Sequence, residues 1–144
     1  MRLTFCALGF ALLGAVALSS APVITAQEPA GQRASLAITG ANNFAQYCVA
    51  CHGKDAKGTG TLAPNLRPKP ADLTLLTKNN GGTFPRDMVF QVIDGRQKVK
   101  GHGGGDMPEW GPTFLAAVGS ENPDAVTHRI NALVDYLETV QEKQ

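Results

Sequence analysis

Cys48-Val49-Ala50-Cys51-His52 places two thiols three residues apart with an imidazole directly behind them, the densest group of reactive side chains in this chain. Three chemistries use such a pair. A redox dithiol normally sits beside strand–helix–strand alternation, and the sequence shows almost no strand pattern. A zinc site needs further Cys or His ligands, whereas His102 and His128 stand alone and far along the chain. The third reading uses every residue of the group, because Cys-X-X-Cys-His is the attachment signature of a covalent c-type haem. Thiols at i and i+3 on one helical face reach two vinyl groups on one porphyrin edge, and the next residue, His52, can place its imidazole on the iron.

The elements that must position this group are helical. A helix is expected from about Thr39, as N-cap, to Ala50, with Phe44, Tyr47, Cys48 and Cys51 recurring at three-and-four spacing. A short helix over Ala71 to Lys78 is stopped by Asn79-Asn80-Gly81-Gly82. Another opens with Pro85 in its first turn and ends at Asp94 before Gly95. The last is capped by Asn122 and carries Val126, Ile130, Leu133, Val134, Leu137 and Val140 as one apolar stripe. Gly53 to Pro70 and Gly95 to Pro112 hold too many glycines and prolines for regular elements and read as loops.

Residues 1–26 read as a secretory signal peptide: Arg2, an apolar run from Leu3 to Leu18, and small residues ending at Ala26. The competing reading is an uncleaved anchor, weakened by Ser19, Ser20 and Pro22. Cys6 leaves with a cleaved signal, so the mature chain keeps only Cys48 and Cys51. Residues 27–37 are expected as a flexible lead and residues 38–144 as the functional domain. Cleavage also removes Arg2 and leaves basic and acidic residues balanced, which gives no warrant for nucleic-acid binding. Nine Lys or Arg against four Asp fall between Lys54 and Lys100, and the acids dominate after Gly101. Four short helices and long loops in one domain make a thin core, and a large apolar cofactor supplies what such a core lacks.

On these residues the chain resembles the class I cytochromes c over nearly its whole mature length. In that family a glycine and an aromatic precede the first cysteine by two and one helical turns, where this chain has Gly40 and Phe44. An aliphatic and an aromatic three apart on the C-terminal helix cross them, and Leu133 and Tyr136 fit. The resemblance implies an all-α fold with N- and C-terminal helices crossing, and short helices and Gly/Pro-rich loops wrapped around one covalent haem c. It implies thioethers from Cys48 and Cys51 and His52 as proximal iron ligand. It also assigns the Pro64 carbonyl as acceptor for the His52 Nδ1–H, a contact that orients the ring and raises its basicity.

The family's axial methionine precedes a proline in a loop, and Asp106-Met107-Pro108 matches. Met107 sits among glycines with nothing local to pack against, and Pro108 biases it to an extended backbone. Met88 reads instead as helical core filler. His102 is the rival ligand, although a loop histidine is ordinarily a surface residue. His128 is expected on the surface, and Trp110 to line the haem crevice or pack in the core.

Two strong axial ligands leave no open coordination position, so the expected function is electron exchange by Fe(III)/Fe(II) cycling in the periplasm. The chain is then an electron carrier and not an enzyme. Its partners would be a reductase or dehydrogenase as donor and an oxidase as acceptor, with no small-molecule substrate and membrane association only through a retained signal. The alternatives are an electron-accepting subunit of a periplasmic dehydrogenase complex, or a haem sensor or enzyme with a displaceable methionine. Lys54, Lys57, Lys69, Lys98 and Lys100 would steer acidic partners if they rim the haem edge.

Overall fold

The computed structural model describes residues 30–97, 107–117 and 122–143, with side chains from residue 35 onward. The signal segment, His102, Lys98, Lys100 and the triple glycine lie outside these residues. Among the described residues the chain is helical and contains no strand.

The first helix, α1 (Ala30–Tyr47), starts nine residues before the expected Thr39. The lead therefore enters the helix at Ala30, because Ala30 to Ala37 contains helix formers and only Gly31 as a breaker. Thr39 is accordingly an interior residue, its hydroxyl donating to the Ser35 carbonyl one turn back at 3.2 Å. A short α2 (Val49–His52) follows after a break at Cys48. A 3₁₀ turn over Leu73–Leu75 runs into α3 (Leu76–Asn79), and Asp72 caps it by accepting from the Thr74 N–H at 2.9 Å.

The helix α4 (Arg86–Asp94) ends, as its sequence predicts, at Gly95 with φ 93°. The last helix, α6 (Pro123–Thr139), is capped by Asn122, whose Oδ1 accepts from the Ala125 N–H at 3.1 Å.

One element overturns the loop reading of Gly95 to Pro112: α5 (Trp110–Ala117) begins inside it. Pro112 is tolerated because it lies in the first turn, where an N–H has no helical partner to lose. Phe114, 1% exposed, supplies the driving force by packing on Tyr47 and Trp110.

The helices α1 and α6 make the most extensive helix–helix contact. Their crossing is built on Gly40, where an added Cβ would lie 1.9 Å from the Ala132 carbonyl oxygen. Backbone therefore meets backbone at this point. One turn further along, the Phe44 and Tyr136 rings stand 5.2 Å apart, and Leu133 is buried beside them. Ile130, Leu133, Val134 and Leu137 carry the apolar stripe of α6 into the core, each worth about 1.5–3 kcal/mol of transfer free energy. The helix α4 is pinned to α6 from outside by Arg86, which donates to the carboxylates of both Asp135 and Glu138.

Candidate haem site

The α1–α2 break delivers Cys48, Cys51 and His52 to one place. His52 N–H and Cys51 N–H both donate to the Cys48 carbonyl, at 2.9 and 3.2 Å, so the signature keeps helical spacing. The following loop folds back on α2: Gly58 N–H donates to the His52 carbonyl (2.8 Å), Gly60 N–H to that of Cys51 (3.1 Å) and Leu62 N–H to that of Ala50 (2.9 Å). These bonds satisfy carbonyls that the end of α2 would otherwise leave orphaned. Gly60 is required for the approach, because a Cβ there would sit 2.3 Å from the Ala50 oxygen.

Cys48 and His52 open onto a cavity with about 680 Å³ of empty space, its mouth included. Phe44, Cys48 and His52 form one wall, and Leu133 and Leu137 of α6 the floor beside it. Met88, Val89, Val92 and Ile93 come from α4, Ala71, Leu73 and Leu76 from the segment before and within α3, and Met107 and Trp110 from the entry to α5. The lining is almost wholly apolar, and its strongest donor atoms are the His52 imidazole, the Cys48 sulfur and the thioethers of Met107 and Met88.

His52 is buried at 6% exposure, and its Nδ1 lies 3.2 Å from the Ala71 carbonyl oxygen. This acceptor replaces the expected one. The Pro64 carbonyl accepts from Arg67 Nη1 at 2.9 Å, in an exposed 3₁₀ turn, and Pro64 is not among the cavity's lining residues. A backbone carbonyl has no sequence signature, which is why Ala71 could not be singled out beforehand. Cys51 is partly buried and free, as is Cys48, and it does not line the cavity.

Burial pushes the Cys48 thiol up to about 12, with the neighbouring Cys51 adding to the shift. A dithiol redox centre works through a thiolate of lowered pKa, and the shift at Cys48 runs in the opposite direction. Among the described residues no group of three or more His, Cys, Asp or Glu side chains is placed to hold a metal ion, and His102 lies outside them.

Trp110 lines the cavity and packs with its ring tilted against Tyr47 at 5.5 Å and Phe114 at 5.3 Å. His128 is exposed, as expected. Met88 differs from its sequence reading as core filler, because it is 36% exposed and faces the cavity from α4. Of the lysines proposed for the rim, Lys54, Lys57 and Lys69 are exposed, and Lys57 is paired with Glu142 at 2.7 Å.

The site fits a haem c: the Cys48 thiol lines the cavity with Cys51 three residues on, an imidazole and a thioether of the kinds that bind haem iron face the same space, and an apolar pocket between helices can hold the macrocycle. Fold and site together define a small c-type cytochrome. Residues 35–137 match the family model described as cytochrome c oxidase, cbb3-type, subunit III, and the chain belongs to that family. It is therefore an exported protein with covalently bound haem c, and its function is haem-based electron transfer with redox proteins as partners. No curated protein and no solved structure matches it. No helix among the described residues is long and apolar enough to cross a membrane.

Proposed function

We propose that this chain is a periplasmic single-haem electron carrier with His52 and Met107 as axial ligands and Cys48 and Cys51 as thioether anchors, exported by a signal peptide spanning residues 1–26. The observation that carries the reading is that Met107, from a loop 55 residues beyond His52, lines the same apolar cavity as His52 and Cys48. Haem supplies the one-electron couple. The chain's own residues do the rest: the Ala71 carbonyl orients the His52 ring, and Val89, Ile93, Leu133 and Leu137 keep water from the site. A thioether ligand and an apolar setting both favour the ferrous state and raise the potential. The partners are a reductase or dehydrogenase that donates and an oxidase that accepts.

The family description favours a second reading, in which the chain is the haem subunit of a lasting oxidoreductase complex. Co-purification with larger subunits from the native membrane fraction decides between the two. The ligand set is tested by visible spectra of the haem-loaded protein, oxidised, reduced, and reduced under carbon monoxide, with Met107→Ala alongside. The wild type stays low-spin and ignores the gas while the variant binds it. A wild type that itself takes up carbon monoxide has an open iron position and overturns the carrier reading in favour of a sensor or enzyme.

A further inference from the structure

The segment that supplies Ala71, Leu73 and Leu76 to the cavity is tied down by residues that no haem motif contains. Gln141, two residues beyond the end of α6, accepts from the Thr77 N–H through Oε1 at 2.9 Å. Its Nε2 donates to the Leu73 carbonyl at 2.8 Å and to the Leu137 carbonyl at 2.7 Å. One amide thus serves an N–H in the first turn of α3 and a carbonyl in the last turn of α6, two groups that helix ends leave without partners. The opposite amide orientation would set the NH₂ against the Thr77 N–H, so the three partners fix the assignment.

The next residue extends the strap: Glu142 N–H donates to the Thr74 carbonyl at 2.9 Å, and its carboxylate accepts from Lys57 at 2.7 Å. On the other side of the segment, the Leu73 N–H donates to the Ala56 carbonyl at 2.8 Å. Ala56 and Lys57 both belong to the loop that directly follows His52. The segment is consequently gripped from two directions, and the Ala71 carbonyl leads into its gripped part.

We propose that Gln141 is a positioning residue for the haem iron: through residues 71–77 it holds the Ala71 carbonyl against His52 Nδ1 and so tunes the donor strength of the axial imidazole. The inference rests on the assignment of His52 as an iron ligand. An acceptor at Nδ1 makes the imidazole a stronger donor and favours the ferric state. Loosening the strap therefore raises the reduction potential. Entry of water, the other consequence of loosening, would lower it, so the sign of the change separates the two effects.

The test uses the haem-loaded protein as wild type, Gln141→Ala, Gln141→Glu and Arg86→Gln, the last a control that loosens α4 from α6 without touching the strap. The readouts are solvent exchange of the His52 Nδ1 proton by NMR, the reduction potential, and stability in guanidinium. The expected result is exchange about tenfold faster in Gln141→Ala, equivalent to about 1.4 kcal/mol of local opening, with a raised potential. Gln141→Glu, which keeps the acceptor for Thr77 but loses both donations, behaves likewise, whereas Arg86→Gln loses stability with neither change. The proposal is overturned if Gln141→Ala leaves exchange and potential at wild-type values, if the potential falls, or if Arg86→Gln changes both in proportion to its lost stability. A wild type whose His52 resonances lack the shifts of an iron-bound ring overturns the ligand assignment and the proposal together, and is recognised before any variant is made.

Discussion

Replacing Gly40 by alanine sets two effects of known size against each other. Glycine inside a helix costs about 1 kcal/mol relative to alanine, so on propensity alone Gly40→Ala stabilises α1. The crossing with α6 argues the other way. The added Cβ falls 1.9 Å from the Ala132 oxygen, 2.6 Å from its carbonyl carbon and 2.8 Å from Tyr136 Cβ, against the 3.4 Å or more of an ordinary contact. The helices have to part by about 1.5 Å at this point. The atoms struck are backbone of a buried helix and cannot swing aside, so the cost belongs at the upper end of the ~1–3 kcal/mol typical of overpacking. Parting also loosens the Phe44–Tyr136 contact and the packing of Leu133.

The net expectation is a loss of about 2 kcal/mol, which at a guanidinium m-value near 3 kcal/mol/M lowers the midpoint by about 0.7 M. The assay is a guanidinium titration of the haem-loaded protein followed by far-ultraviolet circular dichroism. Gly81→Ala serves as the comparison: its φ is +67° but nothing lies within 4 Å of the added Cβ, so it reports backbone strain without a clash. If Gly40→Ala is as stable as the wild type or more so, helix propensity has won and the argument from close approach is wrong.

Arg86→Met removes the link between α4 and α6 and leaves Asp135, whose side chain is 11% exposed, without this partner. Because Arg86 itself is 41% exposed, the loss is about 1 kcal/mol after screening, read as a shift in the same guanidinium titration. Asp55 is held below its ordinary carboxylate value of 3.8, first by the Lys57 N–H and then by the Thr59 hydroxyl. Its contribution is therefore present above 3.8 and is lost as the pH falls further. Melting temperatures of Asp55→Asn should accordingly fall less steeply than those of the wild type below pH 4, and parallel curves would remove Asp55 from the acid transition. For Met107→Ala the haem-loaded protein gains carbon monoxide binding, and a variant that still excludes the gas would transfer the sixth-ligand role to another residue, with His102 and Met88 the next to replace.

Features that depend on local order could be read from the residues alone. Cys48, Cys51 and His52 identify the cofactor because the attachment chemistry demands that spacing, and Asn122 and Gly95 lie where helix ends need partners close by in the chain. The stripe of α6 was legible for the same reason, since helical periodicity projects it onto a single face, whereas the crossing of Gly40 and Phe44 with Leu133 and Tyr136 was implied by the resemblance to the class I cytochromes c and not by the pattern itself.

Only the tertiary structure could decide which distant groups meet. Burial of Phe114 makes a helix of a stretch that glycine and proline mark as a loop, because packing outweighs propensity. The partner of His52 Nδ1 is the Ala71 carbonyl and not that of Pro64, a choice among identical backbone groups that no side chain announces. Met88 turns to the cavity where helical pattern alone made it core. Gln141 looks like an ordinary polar residue near the chain's end. Its amide matters because α6 brings it against α3, 64 residues away in sequence, where two helix ends hold out the donor and acceptor that it matches.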